Sequence, residues 1–142
     1  MTIAAILRGK GAQVTTIRSD MTVAEAVSLL AKQRIGAVPV VEGDTVAGVF
    51  SERDVIRSLE EQGAAAMSQS VAAVMTAPAV TVASDDSVMG ALSLMTRRRI
   101  RHLPVIDAGR LVGIVSIGDL VKYRIDRIEA DAQAMRDYIQ QA

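Results

Sequence analysis

Apolar positions along this chain follow two periods, and the same succession of periods occurs twice. Val23, Ala26, Val27 and Leu30 fall at helical spacing within the segment Thr22 to Gln33. Thr22 and Glu25 form the S/T-x-x-E box that opens a helix. Next come an apolar run from Ala37 to Val41, a turn at Glu42-Gly43-Asp44 and a second run from Val46 to Phe50, which together predict a hairpin. A short helical turn, Thr2 to Leu7, and a brief extended piece, Val14 to Ile17, lead into this unit, and a further helix is expected from about Asp54. The pattern then returns. Ser70 to Met75 gives the turn and Val80 to Val82 the extended piece, followed by a helix capped by Ser87. Strands are expected at His102 to Ile106 and Leu111 to Val115 around Asp107-Ala108-Gly109, and a helix from about Asp119. Gly90 stands where a capping Glu would be, so this second helix start is weaker.

The two halves align residue by residue without a gap. At one fixed offset Thr16 meets Thr81, Ser19 meets Ser84, Asp20 meets Asp85, and Arg34-Ile35 meets Arg99-Ile100. Pro39-Val40 meets Pro104-Val105, and most other pairs exchange one aliphatic residue for another. The lead-in recurs at a slightly larger offset, with the difference assigned to a longer loop, Arg8-Gly9-Lys10-Gly11. Such a duplication predicts pseudo-symmetric units that bury their apolar faces on each other. The expected class is α/β (α+β), with two β-α-β-β-α repeats. They are placed at residues 1–62 and 70–125, joined by a linker at 63–69 and followed by a helical extension at 126–142. Along that extension Val121, Ile125, Ile128, Ala132, Met135 and Ile139 alternate steps of four and three, a heptad-like seam that predicts a subunit contact.

The most similar stretches are Gly48-Val49-Phe50-Ser51-Glu52-Arg53-Asp54 and Gly113-Ile114-Val115-Ser116-Ile117-Gly118-Asp119. In both, a strand ends on a serine and passes into a helix, whose first amides are unpaired and favour anions. An Asp one turn in can cap that helix, or it can accept hydrogen bonds from a diol such as a ribose. The recurrence of Ser and Asp at one spacing favours the second role.

Composition narrows the function. Sixteen Lys and Arg balance sixteen Asp and Glu, which argues against general nucleic-acid binding. The chain has no cysteine and a single histidine, His102, so it offers no thiolate nucleophile, no Cys zinc site and no multi-His triad or metal cluster. Phe50, Tyr123 and Tyr138 are the full aromatic set, so aliphatic residues and methionines must build the core. An early charge at Arg8 speaks against a secretory signal, and no apolar run reaches the length needed to cross a bilayer. A soluble cytoplasmic protein that is no enzyme is therefore expected, with no catalytic cofactor.

Ungapped β-α-β-β-α repeats with a Pro in the middle strand and a Gly-aliphatic-aliphatic-Ser-x-x-Asp signature resemble CBS domains, the family named after cystathionine β-synthase. Its members occur as tandem pairs, called Bateman modules. The resemblance covers nearly the whole chain, and Ile100-Arg101-His102-Leu103-Pro104-Val105 is especially close to small stand-alone bacterial members. It implies clefts between the repeats that bind AMP, ADP or ATP, in some members NAD-type dinucleotides or S-adenosylmethionine. It also implies a homodimer in which two modules form a disc. By resemblance, Asp54 and Asp119 take ribose hydroxyls, and Ser51 and Ser116 lie near the ribose or phosphate. Adenine is expected against Thr16-Ile17 and Thr81-Val82. Ile35, Gly36, Ala37 and Val38, and their partners Ile100, Arg101, His102 and Leu103 before Pro104, line the same clefts.

The residues suit this chemistry. Adenine needs an apolar slot with a few backbone partners, and a phosphate needs cations. The candidates are Arg34, Arg53, Arg97, Arg98, Arg99, Arg101, His102 and Lys122. Arg97 and Arg98 read as a solvated helix end, and Arg101 and His102 as phosphate contacts. Glu52-Arg53 against Ile117-Gly118 and Gly36-Ala37 against Arg101-His102 make the two clefts unequal. Two functions follow: a nucleotide sensor acting on a separate effector protein, or a dimeric interaction scaffold with vestigial clefts.

Overall fold

The structure is a computed structural model that describes residues 1–11 and 13–141. Helix α1 (Ile3–Lys10) is followed by β1 (Ile17–Arg18), α2 (Val23–Gln33), the hairpin β2 (Ala37–Glu42) and β3 (Thr45–Ser51), and α3 (Glu52–Gln62). The second half holds α4 (Val71–Val74), α5 (Val88–Arg98), the hairpin β4 (His102–Asp107) and β5 (Arg110–Ser116), and α6 (Ile117–Gln141). Two repeats of mixed α and β structure with a C-terminal helix are thus present.

The helix starts follow their caps. Thr22 Oγ1 accepts from Glu25 N at 3.1 Å and donates to its carboxylate at 3.0 Å, and Ser87 Oγ accepts from Gly90 N at 2.9 Å. Both helices end on an arginine in left-handed conformation, Arg34 and Arg99, each with φ 55°. The helices expected from Asp54 and Asp119 begin earlier, at Glu52 and Ile117, directly after the strand-ending serines. The stretch read as a loop from Arg8 is helical through Lys10, and Gly63–Ser68 forms a 3₁₀ segment whose Ala66 is buried.

In the first sheet β1 runs parallel to β2, with Ile17 opposite Val40, and β2 runs antiparallel to β3, with Ala37 opposite Ser51. In the second, β4 and β5 pair with the same register, His102 opposite Ser116, and the β1 equivalent shrinks to one parallel bridge between Val82 and Val105.

The lead-in helices change sides. Ile3 and Ile6 of α1 lie in the core of the second repeat, with Val88, Met95, Leu103, Val115 and Leu120. Val71 and Val74 of α4 lie in the core of the first, with Ile17, Val23, Leu30, Val38 and Phe50. Matching backbone bonds fix the exchange: Val71 N donates to the Met21 carbonyl and Ile3 N to the Asp86 carbonyl, at 2.8 and 2.9 Å. Neither repeat completes its core without the other's lead-in. Burying such aliphatic side chains stabilises the fold by roughly 1.5–3 kcal/mol each, so the two halves are coupled through their interiors.

The exchange also explains the glycine that opens each signature. A Cβ on Gly48 would lie 2.6 Å from the Thr76 carbonyl, and one on Gly113 2.6 Å from Leu7 Cδ2. Thr76 pairs its backbone with Val49 in both directions at 2.9 Å. The signature glycine makes room for the crossing lead-in.

Candidate functional site

Between the repeats lies a cleft of about 360 Å³, within the size range of small-molecule sites. Its first wall is the β3–α3 junction, with Ser51, Glu52, Arg53 and Arg57, and its second is the α5–β4 turn, with Arg98, Ile100, Arg101 and His102. Gly36, Ala37, Val49, Thr76, Ala79 and Val80 complete it. Four guanidinium groups and an imidazole face one carboxylate, Glu52, so the cleft suits an anion with an apolar body.

Local hydrogen bonds aim these side chains. Arg53 Nη1 donates to the Arg99 carbonyl at 2.6 Å, tying α3 to the turn after α5 across the cleft. Arg57 Nη2 donates to Asp54 Oδ1 at 3.0 Å and to the Val74 carbonyl at 2.9 Å. Glu52 N donates to the Gly36 carbonyl and Ile117 N to the Arg101 carbonyl, so each helix start is pinned to its own repeat.

Asp54, which the resemblance assigns to ribose hydroxyls, is fully engaged within the protein. The residue is 1% exposed. Its Oδ2 accepts from Ser51 N at 2.9 Å and Ser51 Oγ at 3.2 Å, and its Oδ1 from Thr76 Oγ1 at 2.8 Å and from Arg57. A carboxylate has about four acceptor positions, and all are in use. Asp54 caps α3 and holds Arg57 and Thr76 at the cleft wall.

The pseudo-symmetric junction of the second repeat is filled from within. Ser116 N donates to Asp119 Oδ2 at 2.9 Å and Asp119 N to Ser116 Oγ at 3.1 Å, a reciprocal capping box. Lys10 Nζ then lies 2.7 Å from Asp119 Oδ2 and 2.8 Å from the Ile114 carbonyl. Burial pushes the Asp119 carboxyl up, but hydrogen bonds from Lys10 and Ser116, with the Lys10 charge, outweigh it and leave the group below its ordinary value. Ser116, Ile117, Gly118 and Asp119 come together here, around a lysine the sequence reading left out of the site.

Gly36, Ala37, Ser51, Arg53, Ile100, Arg101 and His102 meet in the open cleft. The other expected residues do not. Ile17, Val38, Val82 and Leu103 belong to the cores, and Pro104 is buried beside them. Thr16 and Thr81 are exposed, and Ile35 lines an adjoining surface groove with Val27, Val55 and Ile56, which shares Gly36 and Glu52 with the cleft. Arg98, read as a solvated helix end, faces the cleft, because the left-handed turn at Arg99 folds the end of α5 over it. Arg57, Thr76, Val49, Ala79 and Val80 were missed. Arg57, one helical turn beyond Arg53 on the face that Asp54 shares, carried a signal that could have been used.

His102, expected among the cations for a phosphate, lies in surroundings that disfavour its charged form. Burial, then the charges of Lys10 and Arg101, hold its pKa below the ordinary value against the opposing pull of Glu52 and Asp119. At neutral pH it presents a neutral imidazole, able to donate one hydrogen bond and accept another.

Two interlocked β-α-β-β-α repeats with a cationic cleft between them define a paired-repeat module. The chain belongs to the CBS-domain family, whose sequence model matches residues 11–61 and 71–126. A mitochondrial CBS domain-containing protein of Arabidopsis thaliana is 34% identical over 148 residues, covering 98% of this chain and 72% of that protein. The crystal structure of a CBS-domain containing protein from Agrobacterium tumefaciens superposes with a TM-score of 0.83 at 40% identity, covering 87% of this chain and 92% of the other. A CBS domain protein from Pyrobaculum aerophilum, solved in complex with AMP, gives a TM-score of 0.74 at 28% identity over 84% of this chain and 89% of its own. No helix among the described residues is long and apolar enough to cross a membrane.

Proposed function

We propose that this protein is a regulatory module that binds one adenine mononucleotide, of the AMP, ADP or ATP type, in the cleft between its repeats. The reading rests chiefly on the chemistry of that cleft. Arg53, Arg57, Arg98 and Arg101 supply guanidinium donors for phosphate oxygens, and Val49, Ala79, Val80 and Ile100 form an apolar surface for a base. The AMP complex of the Pyrobaculum relative supports the adenosine class. A cleft of about 360 Å³ is better matched to a mononucleotide than to an NAD-type dinucleotide.

In this reading the ligand bridges Arg53 and Arg57 of one repeat and Arg98 and Arg101 of the other. It biases their relative orientation, and a separate effector protein reads the change. The module contributes recognition rather than chemistry. One site per chain is expected, because the second junction already holds the Lys10 ammonium against Asp119.

Titration calorimetry of the purified protein with AMP, ADP, ATP and NADH tests this. A mononucleotide should bind at one equivalent per chain, and Arg101→Ala should weaken it at least about tenfold, as expected for losing one charge-assisted contact. Absence of binding and of any thermal shift with all four ligands at millimolar concentration would favour the scaffold reading.

A further inference from the structure

Helix α6 leaves its domain. Leu120 is its one buried residue among those described, and every residue from Arg124 to Gln141 is exposed. The seam read from the sequence is bare: Val121, Ile125 and Ile128 are 43, 48 and 52% exposed, and Met135 and Ile139 61 and 65%. Most helical stability in proteins comes from packing an apolar face, so the bare stripe calls for a partner.

The charges beside the stripe select that partner. In heptad terms Ile125, Ala132 and Ile139 occupy a positions, and Val121, Ile128 and Met135 occupy d. The g positions are then Arg124, Asp131 and Tyr138, and the e positions Lys122, Glu129 and Arg136. In a parallel in-register pair each g residue faces the e residue of the next heptad on the other helix. Arg124 meets Glu129 and Asp131 meets Arg136, and the two-fold axis repeats both attractions.

The antiparallel pairing that covers the whole stripe sets Glu129 against Glu129, Asp131 against Asp131, and Lys122 against Arg136. All three are repulsive. A shifted antiparallel overlap removes the repulsion but strands one end of the stripe in water, Met135 and Ile139 for one shift and Val121 and Ile125 for the other.

We propose that the C-terminal part of α6 pairs with the same helix of a second copy as a parallel, in-register two-stranded coiled coil. Ala132 at the central a position leaves room for two helices to approach closely between the flanking Ile125 and Ile139. Within one chain Lys122 pairs with Asp126 at 3.4 Å, Gln133 donates to Asp137 at 2.8 Å and Arg136 donates to Gln133 at 2.6 Å; these exposed contacts lie within one helix, and Arg136 has further guanidinium donors for Asp131 of the second copy. The assembly sets the two second repeats side by side at the root of the coil.

Sedimentation and oxidative crosslinking of the full chain test the proposal. The wild type should sediment as a dimer, and Ile128→Asp should raise the dissociation constant at least about a hundredfold by placing a carboxylate in the seam. The thermal transition of the repeats should hardly move, since Ile128 touches neither core. Because the chain lacks cysteine, Ile139→Cys reports orientation: parallel helices juxtapose the two thiols, and full-overlap antiparallel helices separate them by about 27 Å. Arg124→Glu with Arg136→Glu should weaken the dimer at least about tenfold, and adding Glu129→Arg and Asp131→Arg should restore it. A monomeric wild type, a dimer indifferent to Ile128→Asp, or crosslinking that requires a mixture of Ile139→Cys and Val121→Cys chains would each overturn it.

Discussion

The Lys10 ammonium stands against Asp119, 2.7 Å from Oδ2, where the Thr76 hydroxyl stands against Asp54, 2.8 Å from Oδ1. The same acidic position is thus filled in both halves by the lead-in that crosses to it. A neutral hydroxyl leaves the first junction with its cations in surplus. A lysine brings a long cationic side chain into the second.

Removing that side chain should reopen the second junction. Lys10→Ala deletes both its bond to Asp119 and its bond to the Ile114 carbonyl. Nucleotide titration of the variant should then fit two sites per chain rather than one. The ion pair is partly exposed, so its loss should cost less than about 1 kcal/mol of stability. A stoichiometry that stays at one would show that more than Lys10 closes the site.

The signature glycines predict an asymmetric response. Gly48→Ala directs a methyl at the Thr76 backbone carbonyl, which is held by two strand-like bonds to Val49. Gly113→Ala directs one at the tip of Leu7, a half-buried side chain that can change rotamer. Urea unfolding should show about 1–3 kcal/mol lost for the first, as for an overpacked site, and under about 1.5 kcal/mol for the second. Equal losses would mean that Leu7 is locked in place.

Much of this was legible in the residues because it is local. Thr22 and Glu25 announce a capped helix, Gly43 and Gly109 announce hairpin turns, and the matched spacing of Ser51 with Asp54 and of Ser116 with Asp119 marks equivalent junctions. The exchange of α1 and α4 was not, since Ile3, Ile6, Val71 and Val74 show an apolar face without saying which core it joins. The burial of Asp54 was hidden for the same reason: its partner Thr76 comes from the crossing lead-in, 22 residues away in the chain. Lys10 sits in the one stretch where the duplication loses register, so no counterpart flagged it.

Asp54 offers a test between a structural role and ribose contact. If it holds the cleft wall, Asp54→Asn should lower the stability of the ligand-free protein by about 1–3 kcal/mol, because an amide NH2 replaces one of the two oxygens that accept from Ser51 or from Thr76 and Arg57. For a pure ribose ligand the ligand-free protein would melt as the wild type does, and the nucleotide affinity would change instead. Thermal melts with and without AMP separate the two.

His102 should make the fold sensitive to mild acid. Burial, with Lys10 and Arg101 nearby, holds its folded pKa below the ordinary 6.5, and Glu52 and Asp119 only partly offset this. The unfolded chain therefore takes up the proton first. The contribution to stability is complete above about pH 6.5 and is lost as pH falls from there through the folded pKa. Asp119 and Asp107, both held below the ordinary 3.8, keep their contributions above about pH 5 and lose them only at more acidic pH. Unfolding free energies measured from pH 7.5 to pH 5 should decline in the wild type and stay nearly flat in His102→Gln. A wild-type profile as flat as that of the variant would show that the imidazole titrates freely in water.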